Sequence, residues 1–225
     1  LGAATTTLNV TLLSPLLPHI AHEFNVSDAT AGQLGTLTAA AAAIVAILVT
    51  PLIDRYPRRL VLQLEAILPG VATVFAIIAP SFGILALSRA LAGVGGAIIF
   101  GMCLATAADI YTDAAGRNRT VGIVSTAATL GTIIGLPALT QIAAVANWRM
   151  AIGMMVPLTV LLFAGTFVLP GCAPGPASAA RPSWLGSYRL VLASRPTMLL
   201  LGLMTVLAAI WFAWVLIGGL ISRTW

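Results

Sequence analysis

Residues 50–62, TPLIDRYPRRLVL, constrain the fold more than any other stretch. They place Asp54, Arg55, Arg58 and Arg59 between an alanine-rich apolar run and a second run, VLQLEAILPGVATVFAIIA. Neither run can exchange water for a bilayer unless these charges stay at the surface, so the stretch reads as a short basic loop between two membrane-crossing helices. Composition closes the alternatives. Mean hydropathy is +1.05, apolar residues make up 60% and charged residues 8%, where a soluble domain carries about 25% charge. The alternation of a lipid-facing barrel strand is absent, and the runs pass the roughly 18 residues that a crossing helix needs. The fold class is therefore an all-α membrane protein, a helical bundle.

Seven spans are predicted, over about 1–20, 30–51, 60–79, 82–110, 120–144, 150–169 and 196–220. Segment 170–195 opens with PGCAPGPASAARP and reads as a linker, with a short surface helix over 184–193. The expected organisation is a six-helix bundle over 1–169, a linker over 170–195 and a seventh span over 196–225. The net charge is +5 and every basic residue other than histidine is arginine. Arg55, Arg58, Arg59, Arg117, Arg119, Arg181, Arg189 and Arg195 fall on loops of one side, and Arg149 and Arg223 on the other. That asymmetry places the amino terminus in the cytoplasm and the carboxyl end of the chain outside. The arginines serve topology and anionic headgroups, so the lipid bilayer is the expected partner and nucleic acid is not.

No zinc spacing, P-loop, dinucleotide fingerprint or nucleophile–base pair is present, so no metal, cofactor or enzymatic activity is expected. Cys103 and Cys172 read as free thiols. In the first span Asn9, Thr5, Thr6, Thr7 and Thr11 either line a cavity or bond their own backbone carbonyls, the second being commoner, and Pro15 and Pro18 bend the helix. His19, His22, Glu23 and Asp28 mark a polar loop, with Ser27 or Asp28 capping the next helix. Glu65 is read about one turn into the third span, near the interface, suited to a structural ion pair rather than proton carriage. Arg89 lies inside an apolar run, which marks a partner or a pathway unless the side chain snorkels to the outer interface. Gly93, Gly131 and Gly135 offer close-packing faces, and Pro137 bends the fifth span. Trp148 is expected at the headgroup level, with Arg149 reaching lipid phosphate. Trp211 and Trp214 face either substrate or lipid.

The loop resembles a signature of the major facilitator superfamily, G-x-x-x-D-R-x-G-R-R, at Asp54, Arg55, Arg58 and Arg59, with Thr50 and Pro57 where the family has glycine. The resemblance implies a gating charge network closed by Asp109 against Arg55 or Arg58. The run LALSRALAGVGGA, residues 85–97, is similar to the family's fourth-helix pattern, which implies substrate contact or proton coupling for Arg89. Gly122, Gly131, Gly135 and Pro137 resemble the antiporter signature in the variant of the sugar- and drug-efflux branch, without its trailing glycine pair. Trp148-Arg149 resembles the dipeptide before the sixth helix.

Together these imply proton-coupled efflux of a small apolar drug-like compound or sugar by alternating access across the cell inner membrane, driven by the proton gradient. Arg89, Asn9, Trp211 and Trp214 are then the substrate and coupling contacts. The first six spans would form two three-helix repeats of inverted topology. Relatives often carry an acid in the first span where this chain has Asn9-Val10. Seven spans leave the twelve-helix fold incomplete. Three explanations stand: a fragment lacking its C-terminal half, a short product that self-associates or pairs with a partner, or a half-transporter module without transport of its own.

Overall fold

The structure, a computed structural model, describes residues 2–53, 56–97, 102, 113–168 and 193–221; within these, the side chains of 50–53, 58, 168, 208, 209 and 211–221 lie outside the description. The described residues outside turns are helical. The chain divides into two compact units, Leu1–Gly175 and Pro176–Trp225.

In the first unit the leading span is two helices, α1 (Gly2–Thr11) and α2 (Leu13–Phe24). Pro15 explains the interruption: it has no N–H to return to the carbonyl of Thr11, where α1 ends. The threonines take the backbone role, with Thr6, Thr7 and Thr11 donating to Gly2 O, Ala3 O and Thr7 O at 3.1, 2.9 and 2.8 Å. α2 buries Leu13, Leu16 and Ile20 on one stripe. It continues past the expected end, so His19, His22 and Glu23 sit on its last turns rather than in a loop. The loop reading missed them because polar side chains at a helix end look like loop composition. Asn25 stops the helix in the left-handed conformation (φ 51°), and Val26 N–H returns to Ala21 O at 3.0 Å. Ser27 then caps α3 (Asp28–Ile53) by accepting from Thr30 N–H at 3.2 Å.

α4 (Arg58–Ile77) is helical through Pro69, and a tight turn leads to α5 (Phe82–Gly96), capped by Ser81. α6 (Ala114–Val145) starts earlier than its apolar run because Asp113 accepts from Gly116 N–H at 2.7 Å. Asn147 caps α7 (Trp148–Gly153) by accepting from Met150 N–H at 2.8 Å, and α8 (Met155–Val168) follows. Pro157 stands to Gly153 as Pro15 stands to Thr11, and it divides the sixth span in the same way. Among the described residues, Asp28–Val49, Arg59–Ile77, Ala114–Val145 and Trp148–Phe167 are long and apolar enough to cross a membrane.

α4 and α3 both pack on α5, α1 packs on α6, and α8 packs on α4. The core gathers Leu8, Leu16, Ile20, Leu85, Trp148 and Met155. Where helices cross, glycine permits contact: a Cβ at Gly131 would stand 2.7 Å from Ala4 Cβ, and one at Gly93 would overlap the carbonyl of Thr38. Long apolar faces of α3 and α6 remain exposed, including Ile44, Ile47, Ile123, Ile133 and Ile134. The second unit is described through α9 (Arg195–Ile221).

Candidate functional site

α5 turns Leu85, Ser88, Arg89 and Ala92 into the bundle. Arg89 is 3% exposed, so its guanidinium does not snorkel to the interface. Nη1 donates to Asn9 Oδ1 at 3.2 Å. Nε and Nη2 have no hydrogen-bond partner among the described residues. Asn9, Leu12, Leu13, Arg89, Ile152 and Met155 line a small cavity of about 10 Å³, enough for about one water. A buried guanidinium is costly and its donors want acceptors. This site can therefore take an acceptor, and it does so between α1, α2, α5 and α7–α8. Asn9 and Arg89, named separately from the sequence, are brought together here.

A second constellation closes one end of the first unit. Arg149 Nη2 donates to Glu23 Oε1 at 2.6 Å and Nε to the same oxygen at 3.2 Å. Nη1 reaches Ile77 O at 2.5 Å, and Nη2 also reaches Ala79 O at 3.0 Å. Trp148 Nε1 donates to Glu23 Oε2. The guanidinium lies 4.6 Å from the Trp148 ring centroid and 5.8 Å from that of Phe24, which meets Phe82 edge-on. Trp148 is 3% exposed, so neither residue serves the lipid-anchor role expected of the pair: the guanidinium is spent on protein acceptors. Burial pushes the Glu23 carboxyl up, but the hydrogen bonds from Arg149 and Trp148 and the Arg149 charge outweigh it and hold it below its ordinary value. A groove of about 550 Å³ opens beside this clamp, lined in part by Pro18, His19, His22 and Asn147. Nothing local in the sequence joins position 23 to position 149, so the clamp was not legible there.

Glu65 is deeper than expected. It lies seven residues past Arg58, about two turns into α4, and is 4% exposed. Gly135 faces Leu8, where an added Cβ would stand 2.8 Å from Cδ2, and Pro137 lies within α6. Arg59 stacks on Phe167 at 4.7 Å. Asp54, Arg55 and Asp109, with the side chains of Arg58, Trp211 and Trp214, lie outside the described residues. Among the described residues no group of three or more His, Cys, Asp or Glu is placed to hold a metal.

Residues 1–223 match the sequence profile of the Major Facilitator Superfamily. The chain is 33% identical over 157 residues to "Multidrug efflux pump LfrA" of Mycolicibacterium smegmatis, covering 67% of this chain and 31% of that protein. It is 29% identical over 179 residues to "Uncharacterized MFS-type transporter YceJ" of Bacillus subtilis, covering 79% of this chain and 45% of that protein. The chain thus spans less than half the length of either relative.

Proposed function

The chain belongs to the major facilitator superfamily, and from that premise we propose that it supplies the first half of an efflux transporter, with Arg89 and Asn9 as its contribution to the central site. It is a multi-pass membrane protein of a transporter family rather than an enzyme family, related to multidrug-efflux proteins. The observation that carries the proposal is the buried Arg89 guanidinium, paired once through Asn9 and offering donors toward the cavity. Drug-like or sugar cargo and coupling to the proton gradient belong to the same proposal; drug-like cargo takes support from the mycobacterial relative, a multidrug efflux pump by name.

Two further features support the arrangement. Ala4 on α1 meets Gly131 on α6, and Thr38 on α3 meets Gly93 on α5. The first span of each three-helix group thus crosses the middle span of the other, as two inverted repeats require. Glu23, Ala79 and Arg149 meet at one end, as spans alternating in direction require, and in the orientation that the arginine count favours that end is extracytoplasmic. The exposed apolar faces of α3 and α6 suit lipid or a second bundle.

The second reading is a half-transporter module without transport of its own, and the 31% and 45% coverage of the relatives favours it for this chain taken alone. One experiment tests the site: dye export by the complete reading frame with Arg89→Ala. Loss of export at unchanged membrane abundance is the expected result, and undiminished export overturns the assignment. Native mass of the purified chain in mild detergent, set beside dye export by that chain alone, separates the two readings.

A further inference from the structure

The clamp around Arg149 and the cavity around Arg89 share two walls. Leu12 and Leu13 line the cavity where α1 gives way to α2, and α2 runs from there to Glu23. Ile152 and Met155 line it from the other side, about one and two turns beyond Trp148. Leu13 on α2 and Ile152 on α7 thus sit on short helical rods whose far ends hold part of the clamp, with Leu12 and Met155 immediately across the junctions to α1 and α8. Each rod also lacks one backbone hydrogen bond at the level of the cavity, since Pro15 and Pro157 have no N–H for Thr11 O and Gly153 O, although Leu12 and Met154 keep helical dihedrals. A helix weakened at such a point can change direction there. The clamp holds the opposite ends together and ties them to the carbonyls of Ile77 and Ala79 at the end of α4.

We propose that Glu23, Trp148 and Arg149 are positioning residues for Arg89: joined, they keep its guanidinium enclosed between α2 and α7, and parted, they let the two rods swing and open the Arg89 cavity to that end of the bundle. The groove beside Glu23 and Trp148 is the route by which water and an acceptor-bearing ligand then reach Nε and Nη2. This rests on the reading of Arg89 as part of the transport site, but its test does not require transport.

The test is thiol accessibility in the purified chain in lipid nanodiscs, where a water-soluble maleimide reaches both faces. The background carries Cys103→Ser and Cys172→Ser. One reporter is Met155→Cys, in the cavity wall; the other is Ala72→Cys on α4, 0% exposed and not part of that wall. With Glu23→Gln, and separately with Arg149→Ala, labelling at position 155 is expected to quicken about tenfold while labelling at position 72 is unchanged, a factor that corresponds to a tie of about 1.4 kcal/mol. An unchanged rate at position 155 overturns the proposal. An equal rise at both positions overturns it too, since the clamp would then be general mortar for the bundle. Dye export by the complete protein is measured separately, so a failed transport assignment leaves this result standing or falling by itself.

Discussion

Asn9 and Arg89 lie 80 positions apart and meet through one hydrogen bond of 3.2 Å, from Nη1 to Oδ1. Asn9 thus supplies the acceptor for a guanidinium that has donors to spare. Asn9→Ala removes it and strands a further buried donor, at about 1–3 kcal/mol. Thermal unfolding in detergent should show a lower midpoint for Asn9→Ala. Asn9→Asp should raise it, because a carboxylate makes a charge-assisted bond to the same group.

Arg89→Met is expected to split stability from function. It replaces a buried, incompletely paired charge by an apolar side chain of comparable length, which removes the cost of burying the charge and leaves only the neutral Asn9 amide without its donor. The melting midpoint should hold or rise while dye export by the complete protein falls to background. A lowered midpoint with export retained would show that Arg89 is structural.

The clamp sets a pH dependence. Glu23 is held below its ordinary value of 4.5, so its stabilising contribution is complete above that pH and is lost as pH falls through the lowered folded value. The wild-type midpoint should therefore fall between pH 6 and pH 3.5 by more than that of Glu23→Gln. The Glu23 side chain is 42% exposed, so solvent screening limits the difference to about 1 kcal/mol or less. If both proteins shift equally over that interval, the carboxylate contributes nothing measurable. Arg149→Lys keeps a charge but not the planar fork that reaches two carbonyls and a carboxylate, and should destabilise nearly as much as Arg149→Ala.

Glycine positions divide by what surrounds them. Gly93→Ala drives a methyl into the backbone of Thr38 and should cost about 1–3 kcal/mol. Gly122 has nothing within 4 Å of an added Cβ, so Gly122→Ala should be neutral or stabilising by up to about 1 kcal/mol through helix propensity. Paired melts of the two variants check the contrast; equal effects would mean that α3 and α5 can part at low cost.

Much of this molecule is written locally. Long apolar runs among few charges dictate membrane helices, because a bilayer leaves backbone groups nowhere else to bond. Ser27, Ser81, Asp113 and Asn147 start their helices from within three residues, as caps do. Pro15 and Pro18 are both bend candidates in the sequence; the structure divides the span at Leu12, three residues before Pro15, with helical dihedrals kept there (φ −62°, ψ −29°), and α2 runs unbroken through Pro18. The motif order pointed to the family that the profile match establishes.

The sequence by itself determined the class of fold, most helix positions and the residue types available for a site, since these follow from hydropathy, capping and proline chemistry over a few neighbouring residues. Tertiary structure alone decided the pairings: Arg89 with Asn9, and Arg149 with Glu23 across 126 positions rather than with lipid. It also decided that Glu65 lies buried against the bundle about two turns into α4 rather than one turn in. A charged side chain states what it needs, but which distant segment meets that need depends on how helices cross, and here close contacts at Gly93, Gly131 and Gly135 set the crossings.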